Sequence, residues 1–196
     1  FLLLFWSLWF LNFSTRTVLS PLLPIFEDEL HISNALAGSI FLFLAVGYTS
    51  SLLVSNWITP RIGFKKSIAI GFIVLIGALL FLVFTTTYWS LGVVAFFLGF
   101  GGGLYLPSAL PLLTSTIHPD QWGKAIAFHE TAASFSILAI PLLAAAALRF
   151  LDWALLVLVL SGLCLAATIV FLVHSPDPRP KKEEKSPFSR VLRRRD

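Results

Sequence analysis

Three ionisable side chains lie inside otherwise apolar runs of the sequence: Arg16, His129 and Glu130. Such groups are costly at membrane depth, so each marks a candidate pathway or site. Asn12 precedes Arg16 by four residues and Ser20 follows it by four, so on a helix the three share one polar stripe that should turn away from lipid. A guanidinium grips a carboxylate through two parallel hydrogen bonds, which suits an anionic small-molecule substrate. The alternatives for Arg16 are to snorkel outward or to pair with a carboxylate of a second half. His129 and Glu130 are neighbours, about 100° apart on a helix, so at most one can face a cavity squarely. Either can take up a proton, His because it titrates near neutrality and Glu because burial favours the neutral carboxyl. Their alternative is hydrogen bonding to adjacent helices. Tyr48 and Tyr105 are polar-tipped and mid-run, and complete the candidate cavity residues; His31 and His118 fall in loops. We find no metal-ligand spacing, nucleophile–base set or paired catalytic carboxylates, so we expect no cofactor, no metal and no enzyme. Gly101-Gly102-Gly103 lacks a following Lys-Ser/Thr and so is no phosphate loop; in a membrane helix such residues allow close helix contact.

The elements that must hold these residues are membrane helices. Hydrophobic residues make up 57% of the chain against 12% charged, too little charge to cover a soluble surface. Mean hydropathy is +0.88. A span takes about 20 mostly apolar residues. Six stretches qualify: Phe1–Phe26, Asn34–Asn56, Ser67–Thr85, Tyr88–Leu113, Gly123–Leu148 and Trp153–His174. They are apolar on all faces, so helices are expected and a β-barrel is not. The sequence contains no Met and stops in a basic run, which leads us to expect one half of a longer chain. The lone cysteine, Cys164, lies in an apolar run and sets up no disulfide framework. No cleavable signal peptide is visible.

Loop charge sets the expected orientation. Arg61, Lys65 and Lys66 follow the second span, and the tail carries Arg179, Lys181, Lys182, Lys185, Arg190, Arg193, Arg194 and Arg195. On the other side stand Glu27, Asp28 and Glu29, neutral Thr86-Thr87, and Arg149 with Asp152. The positive-inside rule puts both chain ends in the cytoplasm, in a cell (inner) membrane. Trp57, Tyr88, Trp89, Trp122 and Trp153 fall near span ends, as headgroup anchors should. The expected domains are a bundle over residues 1–174 and a basic, proline-rich cytoplasmic linker over 175–196. The linker's cations serve orientation or meet anionic lipid of the bilayer, and no nucleic-acid partner is expected.

Leu19-Ser20-Pro21-Leu22-Leu23-Pro24 and Leu106-Pro107-Ser108-Ala109-Leu110-Pro111 suggest that spans one to three and four to six are inverted repeats. Asn56-Trp57-Ile58-Thr59-Pro60-Arg61-Ile62-Gly63-Phe64-Lys65-Lys66 resembles the loop signature of the major facilitator superfamily, G-x-L-x-D-R-x-G-R-[KR]-[KR]. Arg61, Gly63, Lys65 and Lys66 match, while Asn56, Pro60 and Phe64 depart from it. Gly99 to Pro107 resembles that superfamily's glycine-rich fourth helix, with Ala95 where an Arg is common. Arg193-Arg194-Arg195-Asp196 resembles the end of its central loop. Asn12 to Ser20 is similar to the first helix of its organic-anion branch, the anion:cation symporters, with Thr15 where an Asp is typical. The resemblance implies an all-α six-helix half of a twelve-helix fold, partnered by a second six-helix half. It implies secondary active transport of an organic anion by alternating access. Arg16, Asn12, Tyr48 and Tyr105 would meet substrate, Glu130 and His129 would couple protons, and Arg61, Gly63, Lys65 and Lys66 would form a gating loop. The competing reading is a membrane scaffold on a degenerate transporter fold; a membrane enzyme is a third, for which no constellation exists.

Overall fold

The computed structural model describes residues 1–176. Among them are eight α-helices and a short 3-10 turn, and no strand. The helices are α1 (Leu2–Thr17), α2 (Leu19–Leu30), α3 (Asn34–Ile62), α4 (Phe64–Leu82), α5 (Tyr88–Gly103), α6 (Leu106–Thr114), α7 (Trp122–Ala147) and α8 (Trp153–His174). They make six units long and apolar enough to cross a membrane, because α1 continues into α2 and α5 into α6.

Proline explains both interruptions. Pro21 has no N–H to offer the carbonyl of Thr17, and α1 gives way to α2 at Val18. Pro107 leaves the carbonyl of Gly103 without that bond, and the helix loosens over Leu104 and Tyr105 before α6 begins. The first and fourth spans therefore break in the same way, each just before its proline pair.

Two span boundaries differ from the sequence expectation by four residues or more. The second span runs to Ile62 rather than Asn56, so the expected loop shrinks to Gly63. Gly63 has φ 90° and ψ 159°, a conformation open to glycine, and it lets α4 begin at the next residue. The charge of Arg61 suggests a loop, yet a cation is favourable in the last turn of a helix, and Arg61 lies in the last turn of α3. The first span runs to Leu30 rather than Phe26, so Glu27, Asp28 and Glu29 end the helix instead of following it. His31, at φ 51°, closes it in the left-handed conformation. The basic linker expected over 175–196 lies, from residue 177, outside the described residues.

Packing follows the repeat. α3 lies along α5, and α7 along α1; α4 touches α5, and α8 touches α1; α4 and α8 touch each other. Exchanging spans one, two and three for four, five and six maps this set of neighbours onto itself. The core between them holds Phe5, Leu8, Trp9, Phe72, Leu75, Leu98, Tyr105 and Phe171.

Candidate functional site

The polar residues of α1 divide into two clusters about two helical turns, or roughly 10 Å, apart. The first surrounds Arg16. Its Nη2 donates to Asn12 Oδ1 at 3.0 Å. The guanidinium lies over the Phe13 ring, 4.2 Å from its centroid, and 5.1 Å from that of Tyr48 on α3. Asn12 is fully buried and donates from Nδ2 to the Gly102 carbonyl at 3.3 Å, so it aims Arg16 rather than lining open space. The Arg16 Nε–H is buried and has no hydrogen-bond partner among the described residues. Such an orphaned donor costs about 1–3 kcal/mol until an acceptor reaches it. Arg16 borders a cavity of about 320 Å³ together with Thr17, Ser20, Leu44, Ile137 and Pro141. Two cation–π faces and one amide therefore orient a guanidinium whose remaining donors suit an anion.

The glycine run of α5 allows this arrangement. Successive residues on a helix point about 100° apart, so three glycines in a row serve three neighbours. A Cβ on Gly101 would meet the Gly71 carbonyl of α4 at 2.7 Å, and one on Gly102 would meet Arg16 Nε at 3.3 Å. One on Gly103 would collide with Ser51 Oγ of α3.

The second cluster joins α1, α7 and the break after α5. His129 is fully buried; its Nε2 is 3.2 Å from the Tyr105 hydroxyl, and its Nδ1 is 3.1 Å from Glu130 Oε1. Tyr105 donates to the Phe5 carbonyl at 3.0 Å, and Trp9 Nε1 donates to Glu130 Oε2 at 3.2 Å. The rings of Trp9, Tyr105 and His129 lie within 13° of parallel, with centroids 5.0 to 5.9 Å apart. His129 and Glu130 thus face each other within one network. Its opening is at Glu130, whose side chain is 45% exposed.

Of the four expected substrate contacts, Arg16, Asn12 and Tyr48 come together. Tyr105 is fully buried in the other cluster, because the loosened backbone at Leu104–Tyr105 turns it toward His129. Trp9 was not singled out from sequence, although it precedes Asn12 by three residues and Arg16 by seven and so shares their face. Ser136 of α7 is buried, with its Oγ 3.2 Å from Ser14 Oγ of α1.

The expected gating residues sit at the opposite end from the Leu30–Asn34 turn. Lys65 Nζ donates to the carbonyl of Ser175, the cap of α8, at 2.6 Å. Arg61 and Lys66 are exposed and Gly63 is buried. Thr59 Oγ1 lies 2.9 Å from Ser67 Oγ and 3.2 Å from Ser108 Oγ, tying α3 to α4 and α6 across the Gly63 turn. Among the described residues, no three His, Cys, Asp or Glu side chains group as metal ligands.

A family model described as Major Facilitator Superfamily matches residues 5–195. An uncharacterised MFS-type transporter of Bacillus subtilis, YceJ, is 25% identical over 181 residues, which is 91% of this chain and 46% of that protein. A TsgA homologue of Buchnera aphidicola is 31% identical over 118 residues, 57% of this chain and 30% of its own length. The crystal structure of a D-xylose–proton symporter matches with a TM-score of 0.80 at 16% identity, over 97% of this chain and 51% of that one. A bacterial homologue of the human lysosomal transporter Spinster, inward-facing and unoccupied, matches with a TM-score of 0.70, also at 16% identity, over 97% of this chain and 46% of that one. The chain thus spans about half the length, or less, of these proteins.

Proposed function

The chain belongs to the Major Facilitator Superfamily, and from that membership we propose that it is the amino-terminal six-helix half of a secondary active transporter for a small organic anion. Such proteins bind at the junction of two halves near the midplane and expose the site alternately to each side. The observation that carries the anionic substrate is the buried Arg16 Nε–H without an acceptor, at the edge of a cavity of about 320 Å³. A carboxylate meeting Nε and a terminal nitrogen would satisfy that donor and form the two-pronged pair a guanidinium favours. Phe13, Tyr48 and Asn12 would hold the fork in plane for the incoming carboxylate.

His129 and Glu130 are the proton-coupling pair in this reading, and the cluster at Gly63, with Arg61, Lys65 and Lys66, is the gate. Lys65 on the Ser175 carbonyl is a contact that closes one face of the half and must loosen if α8 moves away from α4. A second six-helix half supplies the remaining wall of the cavity. The basic end faces the cytoplasm, and the protein resides in the cell membrane.

The test is uptake by the full-length protein in proteoliposomes under an imposed proton gradient. A panel of small monocarboxylates and dicarboxylates is compared with their amides, which keep shape and lose charge. Gradient-driven uptake of at least one acid, with the matching amide excluded, is the expected result. Uptake of the amides as readily as the acids would overturn the anion assignment.

A further inference from the structure

The Tyr105–His129–Glu130 chain fixes its own proton inventory. A carbonyl oxygen only accepts, so the Tyr105 hydroxyl proton points at Phe5 O. The Tyr105 oxygen is then left to accept from His129, and Nε2 carries a proton. At the other ring nitrogen, Nδ1 faces Glu130 Oε1 at 3.1 Å, and two lone pairs cannot share that contact. Either Glu130 is protonated and donates to Nδ1, or His129 is protonated on both nitrogens and faces a carboxylate. Both forms hold one proton more than a neutral imidazole beside an ionised Glu130.

We infer that Tyr105 is a positioning residue for proton coupling, its hydroxyl turning from the Phe5 carbonyl to His129 Nε2 when the His129–Glu130 pair gives up its proton. This rests on reading His129 and Glu130 as the coupling pair. The loaded chain contains three exchangeable protons: one on Tyr105, one on Nε2 and one shared between Nδ1 and Glu130. The unloaded chain contains two, with Nδ1–H donating to the Glu130 carboxylate and Tyr105 O–H donating to Nε2. The third proton leaves from the Glu130 carboxyl, the exposed end of the network. Unloading therefore costs α1 its hydrogen bond from the residue at the break of the fourth span.

The neighbouring elements supply few other charges. On α1, Arg16 is engaged with Asn12, and Trp9 donates to the Glu130 oxygen that His129 does not use. On α7, Lys124 lies about a turn and a half before Glu130 and borders a different cavity, with Phe1 and Gln121. On α4, Lys65 donates to Ser175, and α8 presents Cys164, buried in the core. On α2, Glu29 is engaged by Trp153 at the far end of the bundle. Among the described residues, the hydrogen bonds to the pair come from Tyr105 and Trp9 alone. Trp9 and Tyr105, stacked near-parallel with the imidazole, hold its plane so that both ring nitrogens stay aimed at their partners.

The test reads protonation directly in the full-length protein in lipid nanodiscs, without transport. Nitrogen-15 NMR of histidine reports the His129 tautomer, assigned by its loss in His129→Asn. Phe5-Trp6 is the one Phe–Trp peptide bond in this sequence, so in the full-length protein labelled with carbonyl-13C phenylalanine and 15N tryptophan the Phe5 carbonyl is the coupled signal that Trp6→Phe removes. As pH rises, His129 is expected to pass from an Nε2-protonated form to the Nδ1–H tautomer, and the Phe5 carbonyl shift should move with the same midpoint. Glu130→Gln, whose amide can donate to Nδ1 at any pH, should keep Nε2 protonated and the Phe5 shift at its acid position throughout. Tyr105→Phe should leave the Phe5 shift independent of pH. A Phe5 carbonyl that stays still while His129 changes tautomer, or a His129 that keeps Nε2–H throughout, overturns the inference. The wild-type co-titration and Glu130→Gln decide the matter even if Tyr105→Phe does not fold. Failed anion uptake with intact co-titration would count against the substrate reading and leave this inference standing.

Discussion

A lone cation in an apolar run is a candidate on its residue type alone, since the cost of placing it there demands a reason. What it does follows from the donors left over. Arg16 spends one N–H on Asn12 and keeps Nε buried without a partner among the described residues, a donor that the proposed anion would satisfy. Arg16→Met, similar in length and apolar, should therefore keep or raise the melting temperature without ligand, because an incompletely satisfied buried charge is replaced by packing. The same variant should lose about 2–5 kcal/mol of anion binding if a buried charge pair is broken. Arg16→Lys keeps the charge but loses the planar fork and the stacking on Phe13 and Tyr48, so affinity should fall about tenfold with folding intact. Affinity and melting temperature measured on the same purified variants separate these roles; a folded Arg16→Met protein that binds as tightly as wild type would sink the anion clamp. The sequence groups Tyr105 with Arg16 as a substrate contact, whereas the fold sets it in the other cluster, for a local reason. Its direction depends on a helix break three residues after Gly102, and periodicity cannot carry an azimuth through irregular backbone.

At the scale of elements, the sixth span was read to the residue and the fourth, fifth and third to within three residues. Long apolar runs bounded by caps are the clearest signal a membrane sequence carries: Asp152 accepts from Ala154 N, and Thr87 with Ser90 forms a capping box. The ends that went astray were those where charge sits on the final helical turn, at Glu27–Glu29 and at Arg61. The proline pairs were recognised as a repeat, but the bends they produce depend on which carbonyl each proline deprives. The glycine run reads as packing, but its division among three helices is set by the tertiary fold. Two substitutions of the same kind should therefore behave oppositely. Gly103→Ala drives a methyl into Ser51 and the Tyr48 carbonyl where α3 crosses α5, and should cost about 1–3 kcal/mol. Gly77→Ala on α4 meets nothing within 4 Å, and should gain up to about 1 kcal/mol from helix propensity. Denaturation of the two variants in one detergent gives the comparison, and equal effects would mean that the α3–α5 crossing is not this close.

Seen whole, the molecule has two chemically different ends. At one, Lys65 meets the carbonyl of Ser175, the cap of α8, with Arg61 and Lys66 exposed beside the Gly63 turn. At the other, Trp153 Nε1 donates to Glu29 Oε1 at 2.9 Å, joining the acidic end of α2 to the start of α8. These two contacts fix which loops share a side of the bundle, and the division coincides with the division of charge. A membrane that retains positive loops on its cytoplasmic side would then hold the Gly63 turn inside and the Leu30–Asn34 turn outside. Cysteine accessibility reads this directly. Cys164 is buried, and Cys164→Ala removes the one native thiol of this sequence. In that background, with any further cysteine of the full-length protein also replaced, Ala35→Cys at the start of α3 should react with a membrane-impermeant maleimide on intact cells. Lys66→Cys should react only after the cells are opened. Both positions are exposed in the fold, so an unreactive thiol reports the membrane and not burial. Labelling of both from outside would rule out α3 as a membrane-crossing helix. The reverse pattern would keep the six spans, invert the protein, and place the Lys65–Ser175 contact on the outer face.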